Sequence, residues 1–345
     1  MFNKLIVTCV LLLSASVSSA IDKDSHPTVT QYAIDDYNQC VIAIHAHYKN
    51  EGILLSTISK DSKSVISTYS KIEDEAPLWD RLINWHFYDK FYKKAGSKHL
   101  ELKKVGWFGF MNPSMHELYD RRVATLQALQ NGDLESNRGD EPEDDIITVD
   151  TVTGRILHFI EDMGVPEHVS PIYHSKPDGW FQALFVPDEP SHFDELFTQE
   201  NIISLGDVKT SPERCLELYT HNKEQPTNLT KILTDMAELT LDRMDDLIIV
   251  PKNHVWFNKA WNDIFWPIRT GTIEDAEHAH YKYGEHGFLQ GHSNTFSLKG
   301  KDNVNKADDI DLVKHAASLE FFKNQYMSIK EKVILALMVI NSKNY

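Results

Sequence analysis

One short stretch of the sequence carries side chains whose types and spacing suit metal chemistry. Residues 154–170 read GRILHFIEDMGVPEHVS, in which His158 and Asp162 are four residues apart. On a helix that spacing puts both on one face, a single turn from each other, which is how one helix offers two ligands to one ion. Pro166 breaks the helix and lets His168 return toward the same pocket. An isolated His-x-x-x-Asp pair is more often a surface pair than a ligand set. Here a third ligand type follows the break, in a chain with 17 histidines, and imidazole is the commonest neutral metal ligand. A second cluster, IEDEAPLWDRLINWHFYD over 72–89, places Glu73, Asp74 and Glu75 ahead of His86. Taken alone, it also suits a solvated acidic turn followed by a helix with a core histidine.

These residues need helices to hold them. Apolar residues recur at helical spacing over 29–48, 114–129, 150–163, 232–244 and 312–340, and alternating strand patterns are scarce, so an all-α domain is expected. Residues 131–145, NGDLESNRGDEPEDD, have almost no apolar content and a dense acidic load, as expected of a solvated loop between two helices. Residues 250–305 hold Trp256, Trp261, Trp266 and four histidines between 278 and 292 among Gly and Asn turn signals. This segment reads as loop-rich, with room for a short hairpin.

With 345 residues, 25% charged and 41% hydrophobic, the composition is that of a folded globular protein able to bury a sizeable core. Residues 1–20 read MFNKLIVTCVLLLSASVSSA: Lys4, an apolar run too short to span a bilayer, then small residues ending at Ala20. That is the pattern of a secretory signal peptide, so cleavage after Ala20 and a secreted or periplasmic location are expected, with residues 21–345 forming the mature domain. Losing Lys4 with the leader takes the formal net charge from −16 to −17. Such a charge opposes stable binding to nucleic acid or anionic membranes. Cys9 leaves with the leader; Cys40 and Cys215 remain, either as one disulfide or as two buried thiols.

Together the clusters resemble the zinc-dependent phospholipase C family, whose fold is shared by single-strand-specific nucleases. The matching residues are Ile21 at the new N-terminus, His26, Asp74 in an acid-acid-x-x-Pro context, His86 of HFYD, and His158, Asp162 and His168 of the central motif. For the closing pair the pattern favours His174 with Asp194 over the competing His192 with Glu195. Two positions depart from the family: Ile21 stands where the best-known members have Trp, and HFYD is followed by Lys90, not Pro. Neither change removes a metal-binding atom.

The resemblance implies an all-helical domain cupping three zinc ions. One would be held by Asp74, His86, His158 and Asp162, a second by His168, His174 and Asp194. The third would take the amine and carbonyl of Ile21 with His26, Asp162 acting as a bridge. Imidazole and carboxylate suit zinc better than magnesium or calcium, and clustered zinc ions suit phosphodiester hydrolysis. Asp74 is then the candidate to orient or deprotonate the attacking water. The charge and the HFYD run favour a zwitterionic phospholipid such as phosphatidylcholine, met in transient contact with a membrane surface. A quaternary ammonium headgroup calls for aromatic faces, for which Trp85, Tyr88, Trp107, Phe108 and Phe110 are candidates, although core packing is the commoner role of any one. A nuclease or nucleotidase would share every ligand, and a non-catalytic secreted binding protein stabilised by zinc would share the fold.

Overall fold

The computed structural model describes residues 24–49, 51–75, 88–90, 100–102, 115–133, 146–170, 197–206, 208–249, 281–283, 297–298 and 316–342. The chain is helical, as expected. In order it forms α1 (Ser25–His47), α2 (Lys60–Glu75), β1 (Leu100–Leu102), α3 (Met115–Gln130), α4 (Val149–Asp162), α5 (Pro166–Val169) and α6 (Gln199–Leu205). There follow α7 (Pro212–Glu224), α8 (Leu229–Leu247), β2 (Ile248–Ile249), β3 (Tyr281–Tyr283), β4 (Ser297–Leu298) and α9 (Ala316–Ser342). The strands do not form a hairpin among the described residues: β3 pairs in parallel with β1, Leu100 opposite Tyr281, and β4 pairs antiparallel with β2, Ile248 opposite Leu298. The rest of 250–305 and residues 134–145 of the acidic loop lie outside the described residues.

The bundle is organised around α4. Thr148 caps it: the Thr151 N–H donates to Thr148 Oγ1 at 3.2 Å, and the Thr148 N–H donates to Thr151 Oγ1 at 2.8 Å. This reciprocal pair satisfies two N-terminal amides that the helix itself cannot. Every residue of α4 from Thr151 to Asp162 is buried, polar ones included. Helices α2, α3, α8, α9 and α1 all pack on it. Gly154 sets how closely α2 approaches, since a Cβ there would stand 2.2 Å from the Ile66 carbonyl oxygen and 2.9 Å from Tyr69 Cβ. Glycine inside a helix costs about 0.5–1 kcal/mol, and here it makes backbone-to-helix contact possible.

Helix α2 was not legible from apolar periodicity. Its buried face is Ile66, Ser67, Ser70 and Glu73, mostly small or polar. Glu73 lies in no solvated turn: it is fully buried and ion-paired to Arg155 Nη1 of α4 at 2.7 Å and to Arg122 Nη2 of α3 at 3.4 Å. A buried charge is tolerable when so paired.

On the other side, α9 covers the turn that follows α4, where a Cβ on Gly164 would meet Ile329 at 2.3 Å. Lys330 of the same helix is buried, reaching Asp36 of α1 at 2.7 Å and donating to the Val208 carbonyl at 2.8 Å. Cys40 of α1 and Cys215 of α7 form a disulfide across 175 residues of sequence, which decides between the two states the sequence left open. Among the described residues no helix is long and apolar enough to cross a membrane.

Candidate metal centre

Three helix ends bring the central motif together. His26 sits in the first turn of α1, ahead of Pro27, which is tolerated there because a first-turn residue needs no intrahelical N–H bond. His158 and Asp162 are stacked one turn apart at the end of α4. The chain then turns through Met163 and Gly164, with the Gly164 N–H on the Glu161 carbonyl and the Val165 N–H on the Asp162 carbonyl, both at 2.9 Å. Pro166 therefore opens α5 rather than ending α4. His168 of α5 comes back toward the Asp162 carboxylate.

The geometry is that of side chains converging on one carboxylate. His26 Nε2 is 3.4 Å from Asp162 Oδ1, His158 Nε2 is 3.2 Å from Asp162 Oδ2, and His168 Nδ1 is 3.6 Å from Asp162 Oδ2. One ligand atom each from His26, His158 and Asp162 lies within 4.8 Å of the others, and this group could hold a metal ion. Ligands at about 2.0–2.1 Å from a tetrahedral zinc are separated by roughly 3.3–3.4 Å, and the first two separations, each to a different oxygen of Asp162, are close to that spacing. All four side chains are buried.

Hydrogen bonds on the far side of two rings fix which nitrogen faces Asp162. His158 Nδ1 is 2.9 Å from the Ser70 carbonyl; a carbonyl only accepts, so Nδ1 carries the proton and, in the neutral ring, Nε2 offers a lone pair. Two acceptors 3.2 Å apart repel unless a proton or a cation lies between them. Burial disfavours ionisation of Asp162, but positive charge on the His158 and His168 rings outweighs it and holds its carboxyl well below the usual carboxylate range; a bound cation would supply that charge with both rings neutral. The donor set thus fits a divalent cation that takes nitrogen and oxygen.

The structure also shows which expected ligands it brings near. His26, His158, Asp162 and His168 converge. Asp74 lies on the last turn of α2, one helical turn beyond Ser70, and its side chain is outside the described residues. Ile21, His86, His174 and Asp194 are outside them too, as are the alternatives His192 and Glu195, the leader, and the aromatic candidates Trp85, Trp107, Phe108 and Phe110. The end of the HFYD run does reach the site: the Tyr88 N–H donates to the His168 carbonyl at 2.7 Å. Tyr88 itself is buried, its hydroxyl donating to Glu238 at 3.3 Å, which is the core role and not an open headgroup face.

Sequence reasoning missed the residues that surround the ligands. Glu161, Thr30 and Ser70 are buried beside the two rings, and Arg155 with Glu73 ties α4 to α2 one turn away. One signal was present. Thr151, Arg155, His158 and Asp162 recur at intervals of four, three and four along α4, a polar stripe on a helix too apolar elsewhere to lie on the surface. Comparison with family models, with curated proteins and with solved structures finds no match to this chain.

Proposed function

We propose that the chain is an exported zinc-dependent phosphodiesterase of the phospholipase C type, acting on zwitterionic phospholipid. The observation that carries this reading is the buried convergence of His26, His158 and His168 on the single carboxylate of Asp162. Asp162 offers one oxygen to His26 and the other to His158 and His168, an arrangement suited to a carboxylate shared between ions. Three zinc ions would be completed by Ile21, Asp74, His86, His174 and Asp194. Bound zinc would lower the pKa of a coordinated water toward about 7 and offset charge on the phosphoryl oxygens. Asp74 would orient that water, and the buried imidazoles would keep bulk solvent from the ions.

Three further features support the proposal. The disulfide between Cys40 and Cys215 suits the oxidising compartment that the leader implies. Tyr88 ties the HFYD run to His168, which brings the chain next to His86 into the neighbourhood of the centre. The formal net charge of −16 favours a zwitterionic headgroup over an extended polyanion. The test is turnover by the purified, zinc-loaded protein of phosphatidylcholine vesicles against single-stranded DNA and a nucleoside monophosphate. Release of phosphocholine supports the reading; hydrolysis of DNA alone reassigns the substrate, and no turnover of any phosphodiester leaves a zinc-stabilised binding protein.

A further inference from the structure

Glu161 is fully buried, adjacent to Asp162, and aimed away from it. Its Oε2 is 2.7 Å from His26 Nδ1, and its Oε1 accepts from the Thr30 hydroxyl at 2.7 Å. Thr30 lies one turn after His26 on α1 and is 3.1 Å from Ser70 Oγ, in the residue whose carbonyl receives His158 Nδ1. The two rings lie with centroids 4.2 Å apart and planes tilted by 37°. Hydrogen bonds thus tie α1 to Glu161 of α4 and, separately, His158 of α4 to α2, and both rings turn Nε2 toward Asp162. A carboxylate on the outer nitrogen of a histidine fixes its tautomer and orientation and raises the basicity of the inner one.

We propose that Glu161, held in place by Thr30, is a positioning residue that sets His26 as the Nδ1–H tautomer and directs Nε2 at the metal centre. This rests on the metal reading given above. Glu161 touches no substrate; it acts through His26. A metal held by His26 would reinforce the carboxylate on Nδ1, since each would favour the proton arrangement the other requires. Removing the carboxylate charge while keeping its volume frees the ring to take the other tautomer, which puts a proton where the ligand lone pair belongs.

The experiment is zinc affinity of the full purified chain by competition with a chromophoric chelator, with the visible spectrum of the cobalt form alongside. Glu161→Gln is expected to weaken zinc by about 10–100-fold, the range for partners of a ligating histidine, Thr30→Val, one contact further out, to weaken it by less, and both to change the cobalt spectrum. Thr30→Ser, which restores the hydroxyl, is expected to return both to the wild-type values. Melting of the zinc-free proteins separates positioning from folding: it is expected to change little in Thr30→Val, and this pair of threonine variants decides the matter if Glu161→Gln does not fold. Unchanged zinc affinity and cobalt spectrum in Thr30→Val overturn the inference and leave the metal reading intact. A wild-type chain that takes up neither zinc nor cobalt overturns the metal reading, and the role of Glu161 with it.

Discussion

At the scale of single residues, Asp162 is the side chain on which His26, His158 and His168 converge. Asp162→Asn keeps the shape and removes the charge that faces His26, His158 and His168. Metal affinity is expected to fall by more than about 100-fold, beyond the range seen for outer partners of a ligand, and the proposed phosphodiesterase activity with it; retention of full zinc content by the variant would remove Asp162 from the centre. A second buried residue gives the protein a pH dependence of its own. His116 of α3 accepts the Asp89 N–H on Nε2 at 3.0 Å, and burial pushes its pKa down to about 3. In the unfolded chain it titrates near 6.5. The unfolded state therefore binds a proton that the native state refuses, so stability is full above about 6.5 and falls as pH drops from there toward 3. Between pH 7 and pH 5 this one group is expected to cost about 2 kcal/mol. His116→Gln keeps an acceptor and loses the titration, so urea denaturation of the variant should show a difference between pH 7 and pH 5 smaller by about that amount. An equal pH dependence in the two proteins would mean that His116 is protonated in the native state.

At the scale of elements, the contact between α2 and α4 decides whether the site exists. Gly154 permits it, and Ser67 and Ser70 make the facing surface small. Gly154→Ala places a methyl group against the Ile66 carbonyl and is expected to destabilise by roughly 1–3 kcal/mol, as overpacking does, although alanine is the better helix former. Because Ser70 fixes the His158 ring from α2, the same change should weaken zinc binding; equal or greater stability in Gly154→Ala would show that the helices have room to part. This contact also explains what the sequence disclosed. The five helices with apolar periodicity appear within a few residues of their predicted limits: Ser25–His47, Met115–Gln130, Val149–Asp162, Leu229–Leu247 and Ala316–Ser342. Helix α2 was hidden because its inward face is mostly serine and glutamate, α6 because it has seven residues, and α7 because it buries only Cys215 and so leaves little periodic signal. The proximity of His158, Asp162 and His168 was legible because side chains on a helix and just past its end are placed by local geometry. Glu161 and Thr30 were not, since their importance comes from a contact between residues 131 apart in sequence.

At the scale of the whole molecule, a disulfide and a buried ion pair hold the bundle from different sides. The Cys40 to Cys215 bond is buried and closes a long loop, so its reduction is expected to cost about 2–5 kcal/mol. Chemical denaturation with and without a reductant strong enough to open a buried bond checks this, and an unchanged midpoint in protein shown to be fully reduced would mean that the other contacts suffice. Asp36 and Lys330 join α1 to α9 independently of the disulfide, so the reduced chain is expected to remain folded at room temperature and to keep its metal. The candidate centre lies where α1 begins and α4 ends, and its side chains come from segments far apart in the chain, so that a bound metal would support folding of the bundle. The most direct measurement is therefore elemental analysis of the purified mature chain, prepared without exposure to chelators. Close to three equivalents of tightly bound zinc, lost together with activity on prolonged dialysis against a chelator and regained with added zinc, is the predicted result; zinc near zero in protein so prepared would contradict the metal centre and the function built on it.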